Sequence, residues 1–419
     1  MLMAVRLVPA EDLNLTPRIG LAKLTKCAFD GEDLNAIWAD LVHNLKADPE
    51  NIEAAMDLSV IAQLVQQQKL GLEIQDEALS ARRLFRSPCA TRTPRLRVLA
   101  FAAAADIGGN TPIEFLLQGS DIELYTLYVV PGHDLPDMLP DHDVAFVAVP
   151  DSDSSRATLA EIERLAQNWP RPVLNLPQRI YELERDRLHK LLYDVPGVHI
   201  PATARVDRDD LADIVTGLEE IDNFLDDARF PLIIRPIGSQ AGRGLEKLDE
   251  IDAVTPYLTL WEDEDFFISR FVDYSGPDGL FRKYRVVFVD GKAYGCHMAV
   301  AGQWNLWYLN ADMGASAAKR AEEAVFLSDF DETFGARHGA ALEEIARRVG
   351  LDYFAIDCAE TKSGELLIFE ADIAAIVHDM DPPEVYPYKG PQMKRIFMAF
   401  AAMLEARSKP AGTARAQAA

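Results

Sequence analysis

Apolar positions along this chain change their spacing three times. From residue 1 to about 92 they recur at helical intervals. Asp33-Leu-Asn-Ala-Ile-Trp-Ala-Asp-Leu-Val-His-Asn-Leu puts its apolar residues on one helix face. An Asp-Pro entry in Ala47-Asp-Pro-Glu-Asn-Ile restarts a helix, and 69–81 reads as another, so the span 1–92 is predicted all-helical. A basic, Pro-containing linker, Arg86-Ser-Pro-Cys-Ala-Thr-Arg-Thr-Pro-Arg, then gives way to Leu96-Arg-Val-Leu-Ala-Phe-Ala, a buried type of strand. Further strands at 122–130, 144–149 and 172–176, with a helix at 154–168, predict a small parallel α/β layer over 93–178. Thr111 fits an N-cap there and Pro112 the first helical position.

From 179 to 405 the pattern becomes α+β. Helices are expected near 182–193, 208–227, 317–325, 336–349 and 391–406. Strands are expected at 231–236, 245–248, 266–271, 284–289, 292–300, 353–358 and 366–371. The end of the chain, 406–419, has too little apolar content to pack and reads as a disordered tail.

A length of 419 residues fits two or three domains. The apolar fraction of 49% supports packed cores. No apolar run reaches the roughly 18 residues of a membrane span. Met-Leu-Met-Ala-Val-Arg lacks the apolar stretch of a secretory signal. Cys27, Cys89, Cys296 and Cys358 have no metal-type spacing and read as reduced thiols, which points to the cytoplasm. A net charge of −25 excludes non-specific nucleic-acid binding, because a phosphate backbone would be repelled.

The chemistry concentrates near the C-terminus. Asp357, Glu370 and Asp372 sit in two apolar runs around a Lys-Ser-Gly-Glu turn, an antiparallel hairpin pattern. Residues two apart in a strand share a face, so Glu370 and Asp372 point the same way. Three hard oxygen ligands there suit Mg²⁺ beside nucleotide phosphates. Standing alone, the segment reads equally as a solvated acidic hairpin.

Upstream, Leu-Ile-Ile-Arg235-Pro-Ile-Gly238-Ser239-Gln240-Ala241-Gly242-Arg243-Gly244 is a strand that ends in a cation and enters a glycine loop. Such backbone approaches phosphate oxygens closely. The strand Phe-Ile-Ser-Arg270-Phe271-Val272 offers backbone groups to an adenine edge. Arg285 opens a hairpin whose Asp290-Gly291 pair marks a two-residue turn, and His297 lies on the return strand as a structural histidine. Asn310, Asp312, Met313 and Gly314 precede a helix with Ser316 as its N-cap. Gly109, Asn110 and Thr111 are a weaker substrate-loop candidate, and His378, Asp379 and Asp381 read as an ordinary loop.

In this order the segments resemble the ATP-grasp superfamily, and within it the RimK-like and glutathione-synthetase-like carboxylate–amine ligases. The resemblance covers about 180–395, with 93–178 similar to the preceding domain, and the N-terminal helices resemble one tetratricopeptide-like hairpin. It implies an ATP-grasp fold over 179–405, after an α/β domain at 93–178 and a helical region at 1–92. It implies ATP as cofactor with Mg²⁺ (or Mn²⁺) held by Asp357, Glu370 and Asp372. It implies phosphate and nucleotide contacts from Arg235, Gly238, Ser239, Gln240, Gly242, Gly244, Arg270, Phe271 and Val272, and catalytic roles for Arg285 and Asn310. The departures are Arg235 in place of a Lys, Arg270 in place of a Glu, Asp372 in place of an Asn, and Asp312-Met313 in place of a basic pair. The implied activity is ligation of a small-molecule or peptide carboxylate to an amine through an acyl phosphate. A kinase on the same fold, or a nucleotide-binding scaffold with a helical interaction region, are the rival readings. A homo-oligomer and a protein partner for the N-terminal helices stay open.

Overall fold

The computed structural model describes residues 5–226, 228–239 and 242–409. The first segment carries helices α1 (Leu21–Phe29), α2 (Leu34–Ala47), α3 (Ile52–Leu64) and α4 (Gln68–Ala81). Asp33 accepts from the Asn35 N–H and Asn51 from the Ala54 N–H, so short polar side chains start α2 and α3. The all-helical expectation needs correction. Two strands, β1 (Arg6–Val8) and β2 (Leu84–Arg86), flank the helices. Each is three residues long and gains its partner only from the next layer, so neither shows a period of its own.

That layer holds β3 (Leu96–Ala102), α5 (Ile113–Leu116), β4 (Ile122–Tyr128), β5 (Met138–Pro140), β6 (Val144–Val147), α6 (Arg156–Ala166) and β7 (Val173–Leu174). Its sheet runs β2-β4-β3-β6-β7, parallel except for the β2 edge, while β1 pairs with β5. The glycine turn after β3 differs from expectation. Thr111 does not cap α5: its N–H (2.7 Å) and hydroxyl (3.3 Å) both bond the Ala148 carbonyl. The Asn110 amide brackets Ala103 at 2.8 and 3.0 Å. The turn is therefore fastened to its own sheet.

Helices α7 (Pro177–Ile180) and α8 (Arg185–Leu192) lead into two further sheets. The elements are β8 (Val198–His199), β9 (Thr203–Asp207), α9 (Arg208–Thr216), β10 (Leu232–Pro236), β11 (Glu246–Leu248), α10 (Val254–Leu260) and β12 (Asp265–Arg270). Then come β13 (Phe281–Val289), β14 (Lys292–Ala301), α11 (Ala317–Ser328), α12 (Phe334–Arg337), α13 (Gly339–Val349), β15 (Tyr353–Glu360), β16 (Leu366–Asp372) and α14 (Lys389–Ser408). One sheet is antiparallel, β11-β10-β12-β9. The other runs β14-β13-β15-β16-β8. The helix expected at 208–227 stops at Thr216, because Gly217 takes a left-handed conformation (φ 73°) and ends it. The last helix runs on to Ser408, into the expected tail, and 410–419 lie outside the described residues.

The five-stranded C-terminal sheet has two apolar faces of unequal length. Val286, Phe288, Phe354 and Ile356 pack on Phe326, Phe330, Phe334 and Ile345. On the opposite face Val287, Val289, Tyr353 and Ala355 pack on Ile396, Phe397 and Phe400 of α14. By strand alternation, Lys283, Arg285 and Asp357 continue this second face beyond that apolar contact. The site begins there.

The N-terminal helices are anchored by a buried ion pair. Asp57 (2% exposed) accepts from Arg18 Nε at 3.1 Å and from the Ile19 and Gly20 N–H groups at 2.7 and 3.2 Å. Removing the acid strands a guanidinium that is 8% exposed. Asp57→Ala is expected to lower the free energy of unfolding by about 3–5 kcal/mol. Urea titration measures it, and a loss under about 1 kcal/mol would contradict the role given to the pair.

Candidate functional site

The centre of the site is a row of four side chains in register across four strands. His297 on β14 lies opposite Arg285 on β13, Arg285 opposite Asp357 on β15, and Asp357 opposite Glu370 on β16. Register slips flank the row on both sides. Val286 pairs with Gly295, which leaves Cys296 as a bulge, and Cys358 pairs with Ile368, which leaves Phe369 as another. Bulges re-aim side chains where they interrupt a ladder. Asp372 pairs with Ala355, so it stands two residues along on the same face as Glu370. The three acids thus share one face, as the hairpin pattern predicts.

Each acid is engaged. Asp357 takes Arg285 in a fork, Nε at 2.8 Å and a terminal nitrogen at 3.1 Å, and Lys283 Nζ at 2.8 Å. Burial alone would raise its carboxyl, but Arg285 and then Lys283 outweigh that and hold it well below the usual carboxylate range. Glu370 is paired with Arg185 at the start of α8. Burial works upward there too, and Arg185 brings the net shift down. Asp372 accepts the Ala374 N–H at 2.8 Å, and among the described residues no cation pairs with it. Burial, reinforced by Glu370 and Asp357, pushes it up to about 6.

The arrangement does not make a cradle for a bare divalent ion. Both Asp357 oxygens and one Glu370 oxygen are occupied by cations of the chain, and among the described residues no group of three acidic, imidazole or thiol side chains is set to hold a metal. Of the three acids expected as metal ligands, Asp357 is paired with Lys283 and Arg285 and Glu370 with Arg185, while Asp372 accepts the Ala374 N–H.

The glycine loop leaves β10 beside this row. Arg235 turns onto it, with Nε 3.2 Å from Ser239 Oγ and a terminal nitrogen on the Ser239 carbonyl. Burial, with Arg185 nearby, lowers its pKa to about 10. Gly244 adopts φ 64°, and a Cβ there would meet Pro236 Cδ at 2.5 Å. At Gly242 (φ 75°) a Cβ would meet the Trp307 ring at 3.1 Å. Both positions therefore call for glycine. Gly238 is also left-handed (φ 73°), and Gln240 lies outside the described residues.

The remaining expectations fare differently. The Phe271 N–H bonds the Pro231 carbonyl at 3.0 Å, so that group belongs to the fold. Arg270 ends β12, and Val272 packs with Tyr274, Phe281 and Trp304. Asn310 has both ends of its amide in its own loop, accepting from the Trp307 N–H (2.9 Å) and donating to the Asn305 carbonyl (2.8 Å). This makes it a brace of its own loop. Ser316 caps α11 as expected, accepting from the Lys319 N–H at 3.4 Å. His378 accepts the Met380 N–H at 3.2 Å, and Asp381 binds Lys389 at 2.9 Å, as in an ordinary structural loop.

His297 stacks against Tyr308, with centroids 4.9 Å apart. Burial, and then Arg285, push its pKa well below 6.5, which favours the neutral ring. Behind Tyr308 lies Glu323, with no exposed surface. It accepts from the Met298 N–H (3.2 Å) and the Tyr308 and Tyr388 hydroxyls (3.1 and 2.7 Å), and Lys389 stands 3.5 Å away. This knot ties α11, β14 and α14 together at the His297 end of the row.

Sequence reasoning missed Arg185, Lys283, Glu323 and Lys389. Lys283 had a signal, since it stands two residues before Arg285 and must share its face. Arg185 had none, because 185 positions separate it from Glu370.

Asp372 gives a pH test. Folded, it takes its proton near pH 6, and unfolded it does so near 3.9. Between those values the folded state binds the extra proton, so this group's contribution to stability falls as pH rises through the window. Asp372→Asn removes that penalty. Its unfolding midpoint in urea is expected to exceed that of the parent at pH 7.5, with the difference shrinking towards pH 4. A difference independent of pH would contradict the burial of this carboxylate.

No family model matches the sequence, and no curated protein matches it. Among solved structures the chain is similar to a RimK-domain ATP-grasp protein from Sphaerobacter thermophilus DSM 20745, at 13% identity over 74% of this chain and 99% of that one, with a TM-score of 0.42. It is similar to the VanG D-Ala:D-Ser ligase from Enterococcus faecalis, at 13% identity over 74% and 99%, with a TM-score of 0.44. It is also similar to a D-alanine–D-alanine ligase from Bacillus anthracis complexed with ATP, at 11% identity over 75% and 98%, with a TM-score of 0.45.

Proposed function

We propose that this chain is an ATP-dependent ligase that joins a carboxylate to an amine through an acyl phosphate. The observation that carries this reading is the meeting of four cations, Arg185, Arg235, Lys283 and Arg285, with a glycine loop and an ordered row of acids. They arrive from a helix and two different sheets. Cations gathered from separate elements beside close-approach glycines suit a polyphosphate.

In this reading Arg235, Arg185 and Lys283 receive the phosphates, and Gly238, Ser239, Gly242 and Gly244 form the covering loop. Arg270, Phe271 and Val272 border the base. Arg285, fixed by its fork to Asp357, faces the transferred phosphoryl group and the substrate carboxylate. A carboxylate oxygen attacks the γ-phosphorus, and the bond to the ADP oxygen breaks. The amine then attacks the acyl carbon, the carbon–oxygen bond to phosphate breaks, and the amine loses a proton. The chain contributes position and charge, which is most of what phosphoryl transfer needs. Aqueous hydrolysis of the acyl phosphate is suppressed by the loop that packs against Trp307.

Hydroxylamine tests the reading directly, because it traps an acyl phosphate as a hydroxamate whatever the natural amine. The protein is incubated with Mg²⁺, ATP, hydroxylamine and the pooled standard amino acids. Hydroxamate is expected together with ADP, and Arg285→Ala is expected to lower its rate by about a hundredfold or more. ADP release with a phosphorylated hydroxyl and no hydroxamate would favour the kinase, and no ADP at all the scaffold. Arg235→Ala is expected to weaken ATP binding about tenfold, or about 1.4 kcal/mol. Unchanged affinity by calorimetry would remove Arg235 from the phosphate site.

A further inference from the structure

The ion pairs around the row say what the site can accept first. Asp357 is held by Arg285 at both oxygens and by Lys283 at one. The Asp357 side chain is 6% exposed, and those of Lys283 and Arg285 are 19% exposed. Glu370 is held by Arg185. A divalent cation reaching these acids alone would have to expel an ammonium and a guanidinium and then lie beside them. Like charges in a partly buried site repel strongly, so that exchange is unfavourable. A polyphosphate does the opposite. It offers Arg185 and Lys283 a denser negative charge than the acids they now hold, and gives Arg235, now on Ser239, an anionic partner.

The three cations on the acids are not equally tied. Arg285 keeps its fork on Asp357 and adds a third bond, to the Ile376 carbonyl at 3.3 Å. Among the described residues, Lys283 pairs only with Asp357, with its ammonium 5.8 Å from the Phe369 ring centre, and Arg185 pairs only with Glu370. Lys283 and Arg185 are therefore the pair free to swing, while Arg285 stays.

We infer that this site binds a polyphosphate in the absence of metal, and that a divalent ion does not reach Glu370 and Asp357 while Arg185 and Lys283 hold them. The inference rests on the phosphate reading of the cleft and adds an order of binding to it. Lys283 and Arg185 thus have two roles, as partners of the acids and as phosphate ligands.

The test uses Mn²⁺, ATP and tripolyphosphate on the whole chain, stripped with EDTA. Mn²⁺ alone is expected to keep its full free-ion electron paramagnetic resonance signal with the protein present, and to lose it once ATP is added beyond the loss caused by ATP in buffer. ATP and tripolyphosphate are expected to bind in EDTA by calorimetry. Lys283→Met and Arg185→Gln are each expected to weaken that metal-free binding about tenfold or more. Stoichiometric Mn²⁺ binding to the parent without nucleotide would overturn the inference, as would ATP binding with Mg²⁺ but none in EDTA. No ATP binding under either condition would overturn the phosphate reading with it. If a variant does not fold, the measurements on the parent chain decide alone.

Discussion

The fork between Arg285 and Asp357 is the constraint on which the site's geometry depends. Its two residues face each other across the central strand pair of the C-terminal sheet, so the hydrogen-bond ladder sets their separation. His297 and Glu370 extend the same line to the neighbouring strands, and a bulge interrupts the ladder beside each of those outer pairs. A charged row of this kind, largely buried, is expensive to leave half-made. Breaking one partner strands the other, whereas the intact pair contributes little net stability. The row is therefore better understood as a positioning device than as a source of stability.

Everything around the row fixes one of its ends. At the Glu370 end, α8 supplies Arg185 and β10 supplies Arg235, which is turned onto its own glycine loop. At the His297 end, Glu323 gathers the Met298 N–H and two tyrosine hydroxyls, so helices and sheet are tied together there. Apolar packing stops where the row begins, with Val287 and Ala355 against α14 on one side of that boundary and Arg285 and Asp357 on the other. The sheet changes from core to site within two residues of a single strand face.

Much of this was legible in the sequence. The hairpins were, because Asp290-Gly291 can take the paired left-handed turn (φ 49° and 80°) and because apolar runs bracket each turn. The shared face of Glu370 and Asp372 followed from a period of two. What escaped had a long-range cause. The β2 strand exists because a sheet edge awaits it, Arg185 meets Glu370 only after folding, and the state of the acids is set by cations whose approach no local pattern announces. The bracing of Asn310 was hidden for a similar reason, since residue type alone does not reveal that a loop engages both ends of its amide.

A crystal structure with a non-hydrolysable ATP analogue tests the central claim most directly. The account predicts phosphate oxygens within hydrogen-bonding distance of Arg185, Arg235 and Lys283, with Arg285 still forked on Asp357 and Lys283 no longer on it. An analogue seated elsewhere, with Lys283 and Arg185 unmoved on their acids, would contradict it.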